Sequence, residues 1–290
     1  MSRTPSPRSS RGHRSATPRH APGFGLLVGA SIVLSACVGA GSSVEQPVTP
    51  RSSLSGTLTI FAAASLTETF GELEARLEAR HPQLDVVVVL AGSATLVQQL
   101  IAGAPADVLA SADETTMQLA VDAGAVEAPN AFARNPLALA VPAGNPGRVD
   151  GLDDLERADL VVALCASEVP CGRAADALLA DLGVAASVDT RESDVRAVLT
   201  KVQLGEVDVG IVYGTDVRVA GEDVETIDVD AVSAQRFAPT YHIAIAEGTA
   251  RRAAAEAWLA LVLGDEGRSV LDSAGFDTAT ISRAVTGDQP

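Results

Sequence analysis

The residues in this chain that could do chemistry are hydroxyls and glycines placed just after apolar runs. Ser65 follows the run 57–61, Gly92 and Ser93 follow 85–90, and Tyr213 and Gly214 follow 207–212. Ser111 with Ala112, and the segment 166–171 ending in Cys171, occupy equivalent places. None of these positions carries a fixed positive charge. Groups of this kind suit an anion held without a counter-ion, because the first N–H groups of a helix are unpaired and its N-terminus is partially positive. A nucleophilic role for Ser65 or Ser93 would need a histidine beside it in the fold. Ser93 stands in Ala-Gly-Ser-Ala-Thr, which lacks the second glycine of a nucleophile elbow.

Other chemistries find little support. His81 and His242 are isolated, and no H-E-x-x-H, C-x-x-C or calcium-loop spacing occurs, so no metal site and no cofactor are expected. There is no P-loop, and Lys201 is the single lysine, a poor fit to a phosphate-handling enzyme. The formal charge is −16, although the first 36 residues hold five arginines (Arg3, Arg8, Arg11, Arg14, Arg19) and no acid. So acidic a remainder argues against nucleic acid or an anionic membrane surface as partner.

The elements that must position these residues follow from periodicity. Apolar residues make up 47% of the chain and aromatics only 3%, so the core must be built from Ala, Val and Leu. Strands are expected at 57–61, 85–90, 107–110, 137–141, 160–164, 207–212 and 240–246. Leu66, Phe70, Leu73 and Leu77, spaced four, three and four apart, predict a helix. Further helices are expected at 95–102, 114–123, 172–182, 194–204, 250–263 and 266–274. Continuous apolar strands between helices imply an α/β fold with mainly parallel sheets covered on both faces. In such sheets ligands sit beyond the carboxyl ends of the strands, where the hydroxyls and glycines lie.

At the N-terminus the arginines precede an apolar stretch, 25–34 (GLLVGASIVL), too short to span a bilayer as a stable helix. Leu34, Ser35, Ala36 and Cys37 then resemble a bacterial lipobox, with Cys37 the lipidated residue and new N-terminus. Residues 1–36 are therefore read as a lipoprotein signal peptide and 37–55, rich in Gly, Ser, Thr and Pro, as a flexible tether. The alternative is an ordinary signal peptide cut near an incidental cysteine.

Six segments, in order, resemble the periplasmic molybdate-binding proteins of the type II solute-binding fold. They are 61–67 (FAAASLT), 92–96 (GSATL), 103–113 (GAPADVLASAD), 169–172 (VPCG), 193–196 (SDVR) and 210–216 (GIVYGTD), within a resemblance running from about Leu58 to Phe276. The resemblance implies a two-lobed binding protein, not an enzyme. It would deliver molybdate or tungstate to the permease of an ABC importer, from outside the cytoplasm and as a monomer. Lobe one would comprise 56–136 with 240–290, and lobe two 137–239. The oxyanion donors it implies are the Ser65 hydroxyl, the Ser93 hydroxyl and N–H, the Cys171 and Val195 N–H groups and the Tyr213 phenol. The same fold holding sulfate or phosphate is the nearest alternative, and a serine hydrolase is a distant one.

Each of these residues also has a plainer reading. Ser65 with Glu68 fits a capping box, Ser93 a turn or cap, and Tyr213 a half-buried aromatic. Asp107 and Asp113 would repel a dianion and are read as structural or hinge residues. Ala94 stands where the family often has a further serine. Cys171 replaces a small residue and lies six positions after Cys165. Outside the membrane thiols meet oxidising conditions, so a Cys165–Cys171 disulfide is expected, against the alternative of two free thiols. If Cys37 is the anchor, Cys37→Ser should release the protein from membranes or block its processing. Unchanged fractionation of that variant would end the lipoprotein reading.

Overall fold

The computed structural model describes residues 54–227 and 229–281. Cys37, the expected signal peptide 1–36 and nearly all of the expected tether lie outside the described residues. The chain runs through β1 (Ser55–Ala63), a 3-10 turn (Ala64–Leu66), α1 (Thr67–Arg80), β2 (Gln83–Ala91), α2 (Ser93–Ile101), β3 (Val108–Ser111), α3 (Glu114–Asp122) and β4 (Asn130–Arg134). It crosses into β5 (Leu137–Pro142), β6 (Val162–Cys165), α4 (Pro170–Leu182), β7 (Thr190–Glu192), α5 (Val195–Gln203), β8 (Val209–Tyr213), α6 (Gly214–Ala220), β9 (Val224–Ile227) and α7 (Ala231–Arg236). It returns through β10 (Thr240–Ile245) to α8 (Arg252–Leu263) and α9 (Asp265–Ala274). Strand β1 thus begins at Ser55, inside the stretch read as tether.

Two five-stranded sheets result, ordered β2-β1-β3-β10-β4 and β7-β6-β8-β5-β9. Both are mixed. The parallel character read from the apolar runs holds for β2, β1 and β3 and for β7, β6 and β8. It ends at β10 and β5, the strands that follow the two chain crossings, and each pairs antiparallel on both sides. Strands β4, β7 and β9 escape a reading from periodicity because they are short edge strands of mixed composition. The Val-rich β2 was expected to be buried, yet it too is an edge strand, and Val87 and Leu90 are 39% and 37% exposed.

Period-two alternation along β1 sends Leu58, Ile60 and Ala62 to one face of the first sheet and Phe61 to the other. The first face packs on α1, α8 and α9, the second on α2 and α3. Few as they are, the aromatics are concentrated. Trp258 meets Phe70 edge-on with centroids 5.2 Å apart, Phe70 meets Phe132 at 6.3 Å, and Phe132 meets Tyr241 at 6.0 Å. Tyr241 then meets Tyr213 at 6.2 Å, so the cluster runs from the helical face of the first sheet to the end of β8 in the second. Trp258 is fully buried, and Trp258→Ala should cost about 3–5 kcal/mol through the cavity it leaves. A denaturant-unfolding difference below about 1 kcal/mol would contradict that packing role.

Candidate functional site

The carboxyl ends of β1, β2, β6 and β8 deliver their following segments to one small cavity. It is lined by Ala63, Ala64, Ser65, Gly92, Ser93, Ala112, Val169, Pro170, Cys171, Asp194, Val195 and Tyr213. All five residues singled out as oxyanion donors are among them, and none is more than 4% exposed. The cavity's volume of about 20 Å³ lies far below the roughly 300–1,000 Å³ of sites for drug-sized ligands, so the space suits a small ion.

Three helices start at this cavity. Ser93 is the first residue of α2, Cys171 the second of α4 and Val195 the first of α5. Their N–H groups fall in the first turn, where a helix offers no acceptor of its own. No side chain caps α2 or α4, and Pro170, which has no N–H, opens α4. Two glycines let the backbones come this close. A Cβ on Gly92 would sit 2.5 Å from the Ser193 carbonyl, and one on Gly172 would sit 1.9 Å from the Ala166 carbonyl.

The hydroxyls complete the donor set. Ser93 Oγ accepts from Ala112 N–H at 3.0 Å, which leaves its proton free to donate. Ser65 Oγ lies 2.7 Å from the Tyr241 phenol. The capping box that Ser65 and Glu68 fit as a plainer reading does not form. Ser65 sits in the 3-10 turn ahead of α1, no side chain caps that helix, and Glu68 pairs with Arg196 instead. The Tyr213 hydroxyl is buried, lines the cavity and has no hydrogen-bond partner among the described residues. Burial, followed by the nearby Tyr241 and Asp216, pushes its pKa well up, so it remains a proton donor.

Charge near the cavity is paired off. Asp194 is the one carboxylate in the lining, and its oxygens are turned to Ala197 N–H at 3.0 Å, as the cap of α5, and to the Ser193 hydroxyl at 3.2 Å. Arg173 of α4 reaches Asp113 at 2.6 Å and Thr116 at 2.5 Å, joining the second sheet's helices to α3. Asp113 also caps α3 through Thr116 N–H at 2.9 Å, and Asp107 accepts from Thr59 N–H at 2.8 Å. Arg196 of α5 pairs with Glu68 of α1 and lies 3.1 Å from Asp216 without the alignment of a hydrogen bond. Asp216 accepts from Tyr213 N–H at 3.0 Å, which fixes the start of α6. Burial outweighs Arg196 and that N–H, and raises the Asp216 pKa to about 7.

Cys165, the last residue of β6, is joined to Cys171 by a disulfide, with Cα atoms 5.7 Å apart. The bridge ties the first turn of α4 to the strand beneath it. Among the described residues no group of His, Cys, Asp and Glu is arranged to hold a metal ion, and no helix is long and apolar enough to cross a membrane. Sequence reasoning missed Asn135, Tyr241 and Thr215, which form a buried polar cluster behind Ser65. Their only signal is a polar residue beside Pro136 and a tyrosine shortly after Pro239, which spacing alone does not connect.

Residues 58–277 match the family of bacterial extracellular solute-binding proteins. The molybdate-binding protein ModA of Mycobacterium tuberculosis is 34% identical over 253 residues, spanning 86% of this chain and 95% of that protein. Among solved structures, the periplasmic molybdate-binding protein of Azotobacter vinelandii aligns with a TM-score of 0.66 at 21% identity, over 76% of this chain and 98% of that one. The sulfate-binding protein SubI of M. tuberculosis aligns with a TM-score of 0.65 at 19% identity, over 81% and 92%. Both structures share the fold.

Asp216 makes stability depend on pH. Its carboxyl releases the proton near 3.8 when unperturbed and near 7 in the folded protein, so the native state binds that proton more tightly. The resulting stabilisation is full below about pH 4 and is lost as pH rises through 7. Asp216→Asn keeps a carbonyl for Tyr213 N–H and removes the titration. The melting temperature of the wild type should therefore fall relative to the variant between pH 5 and 8, and parallel curves would refute the assignment.

Proposed function

The chain belongs to the bacterial extracellular solute-binding proteins, and we propose that it captures molybdate, and tungstate with it, for delivery to an ABC importer. The single observation that carries this reading is the buried Tyr213 hydroxyl, left without a partner in a cavity that also receives the uncapped starts of α2 and α4. Donors withdrawn from water and left unpaired cost about 1–3 kcal/mol each. A tetrahedral dianion in the cavity would satisfy Ser65, Ser93, Cys171, Val195 and Tyr213 together, each bond to charge contributing roughly 1.5–3 kcal/mol. Similarity to the molybdate-binding protein of M. tuberculosis over 86% of the chain supports molybdate as the ion.

The charge and size of the cavity argue in the same direction. Hydrogen phosphate needs an acceptor for its proton, and Asp194, the carboxylate that lines the cavity, is already engaged as a helix cap. Hydrolysis is disfavoured because Ser65 is bonded to a phenol and Ser93 to a backbone N–H, neither of them a base. In this reading the two sheets are the cores of two lobes, 56–136 with 240–290 and 137–239, which close on the ion as the crossings bend. Arg173 with Asp113, and Arg196 with Glu68, would hold the closed form. The protein would act as a monomer outside the cytoplasm, tethered by a lipid on Cys37.

Calorimetry or thermal shift with molybdate, tungstate, sulfate and phosphate tests the assignment. Stabilisation by molybdate and tungstate is the expected result. A response to sulfate or phosphate alone would keep the site and change the ion. Ser93→Ala and Tyr213→Phe should each weaken molybdate binding by about 1.5–3 kcal/mol, or roughly ten- to a hundredfold in Kd. Unaltered affinity in both variants would place the site elsewhere.

A further inference from the structure

The cavity's hydroxyls can serve an anion only if their protons point inward, and Ser65 has a neighbour that could take its proton instead. Its Oγ lies 2.7 Å from the Tyr241 hydroxyl, and distance alone leaves open which oxygen donates. The answer lies one residue further back. Asn135 Nδ2 is 2.9 Å from Thr215 Oγ1 and 3.3 Å from the Tyr241 oxygen, and an amide nitrogen can only donate. The opposite amide orientation would leave both N–H bonds of a fully buried group without acceptors, whereas the present one leaves only the Asn135 carbonyl oxygen unpaired. Buried unpaired N–H groups are the rarer and costlier of the two.

We propose that Asn135 and Tyr241 are positioning residues that polarise a hydrogen-bond chain toward the cavity. Asn135 donates to Tyr241, Tyr241 spends its one proton on Ser65, and Ser65 is left with its own proton for the ligand. The inference rests on the oxyanion reading of the cavity and assigns the device that keeps Ser65 a donor. Tyr241 and Asn135 are fully buried, Thr215 is 2% exposed and Ser65 is 4% exposed, so water does not compete for these bonds. Burial also raises the Tyr241 pKa, so the phenol keeps the proton it donates.

The chain's location gives it a second consequence. Asn135 lies between β4 and β5 at the first crossing, and Tyr241 lies in β10 just after the second. The two crossings are joined by Asn135 N–H to the Pro239 carbonyl at 3.4 Å, and Pro136 accepts from Gly214 N–H at 2.8 Å. Thr215 belongs to α6 beside the second sheet, and Ser65 follows β1 of the first. The direction in which Ser65 donates is therefore set by residues that connect the sheets.

Tyr241→Phe keeps the ring among Phe132, Phe276 and Tyr213 and removes the hydroxyl that accepts from Asn135 and donates to Ser65. Asn135→Leu removes the donor without adding charge, so that nothing holds the Tyr241 proton toward Ser65. Molybdate affinity is measured by calorimetry for both variants, for Ser65→Ala and for each double variant, with melting temperatures recorded without ligand. Tyr241→Phe should lose several-fold in affinity, and Asn135→Leu a comparable amount, neither exceeding the loss in Ser65→Ala. Neither should lose more than twofold further when Ser65 is already alanine, because both act through its hydroxyl. Losses that add in the double variants, or a Tyr241→Phe affinity equal to wild type, would overturn the inference while leaving the site intact. A wild type that takes up no molybdate would remove the oxyanion reading beneath it.

Discussion

Buried hydrogen-bond donors without acceptors are the constraint on which the rest of this structure turns. A folded chain normally pairs such groups, by capping its helices or by leaving their ends in water. Here α2 and α4 start without a side-chain cap, and a buried phenol faces the same space. Residues that could have silenced these donors are kept away or committed elsewhere. The lining alanines offer no polar side-chain atom, Asp194 is spent on α5, and Glu68 is drawn off to Arg196. The arrangement carries a cost, and a bound anion would relieve it.

Keeping donors unpaired requires that nothing nearby relax toward them, and the surroundings are correspondingly stiff. Gly92 and Gly172 remove the Cβ atoms that would force the segments apart. The Cys165–Cys171 disulfide holds the first turn of α4 against β6, so that its N–H groups cannot swing to another acceptor. Arg173 and Arg196 each join an element around one sheet to an element around the other. Their pairing also matters electrostatically. A free guanidinium in the cavity would attract any carboxylate or phosphate, whereas dipoles fixed in three directions favour a compact ion that meets all of them.

Much of this was legible in the sequence, and the reasons differ by element. Helices α1, α4 and α5 follow from apolar spacing, and β1, β5 and β8 from apolar runs, because in each the burial pattern is written in consecutive residues. Small and hydroxylic residues at strand ends marked Ser65, Ser93 and Tyr213 as candidates, and Val195 came only with the resemblance, since its side chain has no part in the chemistry. The antiparallel placement of β10 and β5 was not legible, because an apolar run reads the same in either direction. Nor was the true partner of Ser65. The local S-x-x-E pattern favours a cap, but Tyr241, 176 residues away, competes for the same oxygen and wins. A short-range pattern cannot register a contact made by the fold.

The acidity of the molecule sharpens what the site must do. A formal charge of −16 sets a repulsive field against any dianion, yet that field reaches only about 8 Å through solvent at physiological ionic strength. Within the cavity the donors are buried and act at contact distance, where a helix N-terminus or a hydroxyl has its full effect. The two scales therefore separate. The global charge acts on approach, while the local dipoles decide what stays. A lysine in the cavity would have attracted anions without regard to their shape or protonation. Neutral donors with one fixed polarity, maintained from Asn135 through Tyr241 to Ser65, ask more of a ligand: it must be small, fully deprotonated and able to accept from every side.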